Sequence, residues 1–175
     1  MSILSYRFAD TSFTPQEKSH LLTETDIQDL TFQVFYWDAT SVAGTSRDIM
    51  IYAKAHYGAK YEFLSPSDEN WAGNTETAFS CLPMLKKVHI AESVVIDTYL
   101  AERFELVGDN KWESVTIQSF YSNIHYLRER LITKVLCVPE ELRLKNRQEF
   151  LKETLKKFLE NHAFHLEESG NNGHY

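Results

Sequence analysis

The residues able to do chemistry sit at the edges of recognisable elements. Glu92-Ser93 stands directly before a periodic apolar run carrying Val95, Ile96, Tyr99, Leu100 and Arg103. A serine at a helix start offers its hydroxyl, unbonded backbone amides and the positive end of the helix dipole to a carboxylate, and an adjacent acid can hold an ammonium. The same pair also reads as a plain helix cap. Tyr36 ends a run of β-branched and aromatic residues, where it is either a packed strand aromatic or a phenolic donor. Pro83, in Cys81-Leu-Pro-Met-Leu85, cannot donate to a strand ladder and belongs at a strand start or a sheet edge. His162-x-x-His165 has no second ligand pair or acid at ligand spacing, so these histidines read as solvated helix residues and no metal is implied.

The elements that must position these residues follow from period and punctuation. Thr31–Trp37 alternates Phe32, Val34 and Tyr36 onto one face of a strand. Arg47–Tyr57 places Ile49, Tyr52, Ala53 and His56 on a helix stripe, and Gly58 supplies the left-handed stop. Ala59–Leu64 reads as a second strand. The runs 81–85 and 88–91, parted by Lys86-Lys87, read as a hairpin, and a helix from Ser93 ends near Gly108. Strands joined through a helix are parallel and hairpin strands antiparallel, so this order predicts a small mixed four-stranded sheet. From Asn110 the pattern is purely helical. Asn110-Lys-Trp-Glu113 resembles a capping box before a stripe of Ile117, Phe120, Ile124, Leu127 and Leu131; Pro139 starts a second long helix with Leu151, Leu155, Phe158, His162 and Leu166 on one face. Residues 1–30 show no sustained period and read as an extension.

With 43% apolar residues in 175, the chain has the apolar mass of a globular protein with one ordinary core or two small ones. The 18 basic and 25 acidic side chains give a net charge of −7, which excludes the basic face that a nucleic-acid binder needs. Residues 1–105 hold 8 basic and 15 acidic groups while residues 106–175 hold 10 of each, so the first part carries all the net charge. No apolar run approaches the roughly 18–20 residues of a membrane span, and the start lacks a secretory pattern. Cys81 and Cys137 are too few for a disulfide framework and fit the cytoplasm.

Taken in order, Tyr36, Trp71, Leu82-Pro83, Glu92-Ser93, Tyr99-Leu100 and Leu106-Val-Gly108 resemble the landmarks of the cytosolic glutathione transferases, with the tyrosine-type sigma and alpha-like classes the nearest. The resemblance covers residues 31–110 well and the following helices more loosely. It implies α/β plus all-α architecture: an extension (1–30), a thioredoxin-like glutathione-binding domain (31–106) and a partial helical domain (109–175) that stops before the family's later helices. It implies glutathione as co-substrate with no other cofactor, a small electrophile as second substrate, a role in detoxification, and a homodimer without nucleic-acid or membrane partners.

Residue by residue, the resemblance gives Glu92 and Ser93 to the γ-glutamyl end of glutathione. Leu82, before a proline that is cis in such folds, meets the cysteinyl part. Trp71 and Asn74 go to the glycyl end, where the family's lysine is missing. Tyr36 takes the catalytic role, donating to the sulfur and favouring its thiolate. The loop from Tyr36 to Arg47 is longer than in tyrosine-type members, and their arginine pair appears as Ser46-Arg47. Ser41 and Ser46 are therefore the alternatives, since other classes use a serine there. The acid that a partner chain often lends falls at Gln118. Residues 38–48 hold no cysteine for thiol–disulfide exchange. Two readings follow: a thiol-conjugating transferase, or a catalytically weak or inactive relative serving binding and assembly.

Overall fold

The computed structural model describes residues 14–36, 43–65, 82–85, 88–90 and 92–168; for Phe35, 82–85 and 88–89 the backbone alone is described. The chain divides into two compact units, Met1–Leu106 and Val107–Tyr175.

In the first unit, α1 (Pro15–Thr23) is followed by a 3-10 turn (Ile27–Asp29), β1 (Thr31–Phe35), α2 (Gly44–Tyr57), β2 (Lys60–Leu64), β3 (Leu82–Leu85), β4 (Val88–His89) and α3 (Ser93–Arg103). The sheet has the order β2-β1-β3-β4, with β1 and β2 parallel and the other two pairings antiparallel, as the element order requires. Phe32, Val34 and Tyr36 do share the buried face of β1. Gly58 closes α2 at φ 67°, and its N–H donates to the carbonyls of Ala53 and Lys54. Phe32 meets Phe104 with ring centroids 5.5 Å apart, and Tyr57 meets Phe104 at 5.7 Å, which joins sheet and helices in one core.

Two helix faces differ from the sequence expectation. On α2 the buried residues are Ser46, Met50 and Ala53, while Tyr52 and His56 stack on each other on the exposed side at 4.1 Å. On α3 they are Ser93, Ile96, Asp97 and Leu100, with Val95 half exposed. Of the expected stripes, Ala53 on α2 and Ile96 and Leu100 on α3 are buried; the other buried positions include polar residues, which a count of apolar side chains leaves out.

Residues 15–30 also depart from the reading of a featureless extension. Thr14 and Glu17 form a reciprocal capping box with Pro15 in the first turn, a start signal present in the sequence. The Thr14 backbone N–H, then its hydroxyl, hold the Glu17 carboxyl below its ordinary value. At the other end of α1 the Tyr99 hydroxyl donates to the Leu22 carbonyl at 2.9 Å, and the Arg103 guanidinium donates to the carbonyls of Thr23 and Thr25. The bonds to Leu22 and Thr23 satisfy carbonyls that a helix end leaves without partners, and the bond to Thr25 holds the chain just beyond it. Burial pushes the Tyr99 phenol up to about 12, against the opposing charge of Arg103.

The second unit contains α4 (Lys111–Leu131) running into a π segment (Ile132–Leu136), then α5 (Glu140–Glu149), a π segment (Phe150–Leu155) and α6 (Lys156–Glu168). Asn110 caps α4 by accepting from the Glu113 N–H at 3.1 Å, while the Glu113 carboxylate accepts from Asp109 N–H and Asn110 Nδ2 at 2.7 Å. Pro139 stands at the cap of α5. The expected pair of long helices is present, with the π turns as interruptions. Phe150 is buried where the sequence stripe named Leu151, which is half exposed; the added residue of a π turn shifts the face by one position. His162 is buried against Phe158 at 4.0 Å and Phe120 at 5.4 Å, and His165 meets Phe120 edge-on at 5.5 Å. Among the described residues no group of three or more His, Cys, Asp or Glu could hold a metal ion.

Candidate functional site

The C-terminal end of β1 and the first turns of α2 and α3 lie together in the first unit. Tyr36 follows β1 directly; its N–H donates to the Leu64 carbonyl at the end of β2 at 3.0 Å, and its carbonyl accepts from Arg47 Nη2 at 3.5 Å. Arg47 lies in the first turn of α2, and its guanidinium also sits over the Phe63 ring at 5.5 Å. The Tyr36 side chain is 8% exposed and belongs to the core cluster.

Ser46 is fully buried in the first turn of α2, and its Oγ donates to Asp97 Oδ1 in α3. That bond brings the starting ends of the two helices side by side. Asp97 is 2% exposed and lies one turn beyond Ser93, which is itself buried. Sequence reasoning missed Asp97. The signal was an acid flanked by Ile96 and Leu100 on a helix four residues from Ser93, a position that faces the core at helical spacing.

The start of α3 carries the strongest local feature. Glu92, the residue before the helix, has φ 75° and ψ 118°, outside the conformations that non-glycine residues ordinarily adopt, and its side chain makes no capping bond to the helix. Its carbonyl accepts the first helical bond, from Ile96 N–H at 2.9 Å. A backbone of this kind costs about 1–3 kcal/mol and persists where surrounding structure enforces it, commonly at ligand sites. The Glu92 side chain is exposed while Ser93 points inward, so the turn presents an acid to solvent beside helix-start amides.

Of the remaining site residues, Leu82 and Pro83 start β3, paired with Phe35 and Val34 of β1, which places them beside the strand that leads to Tyr36. No peptide bond among the fully described residues is cis; the Leu82–Pro83 bond, described through its strand pairing alone, lies outside that set. Ser41, Trp71 and Asn74 lie outside the described residues. Gln118 is exposed on α4 of the second unit, where its side chain donates to Ser114 Oγ at 3.3 Å. The structure thus gathers Tyr36, Leu82 and Pro83 around the end of β1, and links Ser46 of α2 to Asp97 of α3.

No family model and no curated protein matches the chain. Solved structures do. Prostaglandin synthase D of Nilaparvata lugens matches with a TM-score of 0.70 at 18% identity, over 80% of this chain and 70% of that one. The sigma-class glutathione transferase of Fasciola hepatica matches with a TM-score of 0.68 at 19% identity, over 81% and 69%. The chain has the glutathione transferase fold. A Nu-class transferase of Haemonchus contortus matches with a TM-score of 0.53 at 20% identity over 70% of this chain, which spans 65% of that protein's length. The transferase fold comprises the thioredoxin-like sheet unit and the helical unit expected from the sequence landmarks. No helix among the described residues is long and apolar enough to cross a membrane.

Proposed function

We propose that this chain binds glutathione at the start of α3 and conjugates its thiol to small electrophiles. The observation that carries this reading is Glu92, a non-glycine residue held at φ 75° immediately before Ser93 in a transferase fold. In this reading the amides at the helix start and Ser93 take the γ-glutamyl carboxylate, and the exposed Glu92 carboxylate takes the ammonium. Leu82 lends its backbone to the cysteinyl part, Trp71 and Asn74 hold the glycyl end, and Tyr36 donates to the sulfur, with Ser41 and Ser46 as alternatives. Glutathione is the co-substrate, no metal takes part, and the free thiol of the exposed Cys137 fits a reducing cytoplasm. A homodimer is part of the proposal, supported by the exposed Trp112, Leu144 and Phe164 of the second unit.

A second reading, a binding or assembly module with weak or no catalysis, draws support from two hydroxyl candidates. Tyr36 lies in the core cluster, and the Ser46 hydroxyl is committed to Asp97. Retention on immobilised glutathione, followed by conjugation of a generic aromatic electrophile, tests both readings. Retention that Ser93→Ala weakens about tenfold is expected from the loss of a charged hydrogen bond. Absence of retention refutes the transferase reading, and retention without turnover selects the module.

A further inference from the structure

Neither α2 nor α3 is capped by the residue before it: Ala43 has no side chain able to do so, and the Glu92 side chain makes no such bond. The first residue of α2 is Gly44, the weakest helix former after proline. Local sequence therefore does little to fix either starting turn. The seam between the two helices is mostly apolar, with Met50, Ala53, Ile96 and Leu100 fully buried. Apolar contacts are non-directional and tolerate sliding. A buried hydrogen bond is directional, and here one joins residue three of α2 to residue five of α3.

We propose that Asp97 is a positioning residue for the glutathione site: through the Ser46 hydroxyl it holds the uncapped first turn of α2 against the start of α3. The proposal rests on the glutathione reading above. A carboxylate that is 2% exposed is an expensive occupant of a helix seam, and replacing a buried polar pair with apolar side chains is often neutral or stabilising. Stability alone does not account for the pair. Orientation does, because Arg47, the next residue of α2, reaches the Tyr36 carbonyl, and Ser93 lies one turn before Asp97. Any shift of the first turn of α2 along α3 displaces Tyr36 relative to Ser93.

The test compares glutathione affinity by calorimetry with the urea unfolding midpoint, using the full chain. Ser46→Ala should weaken binding about tenfold and Asp97→Ala at least as much, and the two together no more than Asp97→Ala alone, because both lose the bond between them. Asp97→Asn retains an acceptor for Ser46 and should stay within about twofold of the parent. Ser46→Ala combined with Asp97→Leu should keep the unfolding midpoint at or above that of Ser46→Ala while binding stays weak. Parental affinity in that pair overturns the proposal, as does Asp97→Asn losing as much as Asp97→Ala. Should Asp97→Ala fail to fold, Ser46→Ala and the paired variant carry the comparison. A parent chain that binds no glutathione overturns the underlying reading, a result distinct from parental binding that the variants leave unchanged.

Discussion

Among the described residues, the first unit gathers eleven buried apolar side chains into one cluster, fed by β1, α2, α3 and the turns between them. The second buries Val135, Phe150 and His162, and leaves Trp112, Ile124, Leu144, Leu159 and Phe164 at half exposure or more. The difference follows from geometry. A sheet face covered by helices encloses side chains from several directions, whereas helices packed side by side each hide a single stripe. The first unit therefore contains its own core, and the second presents apolar surface suited to covering by something else.

The largest effect should come from the core of the first unit. Phe32→Ala removes a fully buried ring that packs on Phe104, and should destabilise the first unit by about 3–5 kcal/mol in urea unfolding. A loss below about 1 kcal/mol would break the contrast between the units. In the second unit Phe150→Ala should cost less, below about 3 kcal/mol, because a sparsely packed site can collapse around the vacancy. Equal losses at Phe32 and Phe150 would show that the second unit is as well packed as the first.

Smaller effects sharpen the picture. Tyr99→Phe deletes the bond to the Leu22 carbonyl and should cost about 1 kcal/mol, read as faster amide exchange in α1. Burial raises the Tyr99 phenol to about 12 in the folded chain, whereas an unfolded tyrosine ionises near its ordinary value. The unfolded state thus loses its proton first, and stability should fall from about pH 10 upward, less steeply in Tyr99→Phe, where Tyr57, also raised by burial, still contributes. Unchanged exchange in α1 would mean that the hydroxyl does not hold the helix.

The smallest effect belongs to His162. Burial, with a further contribution from the charge of His165, lowers its pKa below the ordinary value of 6.5. The folded state then binds fewer protons than the unfolded one, so this contribution is complete above that value and is lost as pH falls below it. Denaturation at pH 7.5 and 5.5 should show an acid loss in the second unit that His162→Phe abolishes. An equal acid loss in both proteins would remove His162 as its source.

The comparison also separates what was legible in the sequence from what was not. The alternation of Phe32, Val34 and Tyr36, the stop at Gly58, the cap at Asn110 and the placing of Glu92-Ser93 at a helix start were all readable, because each depends on neighbours a few residues away. Thr14-Pro-Gln-Glu17 was equally local and was overlooked because the helix that it starts is short and mostly polar.

Backbone propensities and turn residues act over one or two turns of chain, so the order of elements, the mixed sheet and the helix start at Ser93 were readable without the fold. The tertiary structure decided which faces of α2 and α3 are buried, since burial there includes Ser46, Ser93 and Asp97, whose polarity points the wrong way in an apolar count. It also decided that residues 15–30 join the first unit, held by Tyr99 and Arg103 from more than seventy residues away. The positive φ of Glu92 belongs to the same class: a non-glycine residue enters that region when the surrounding fold enforces it, and no local signal announces it.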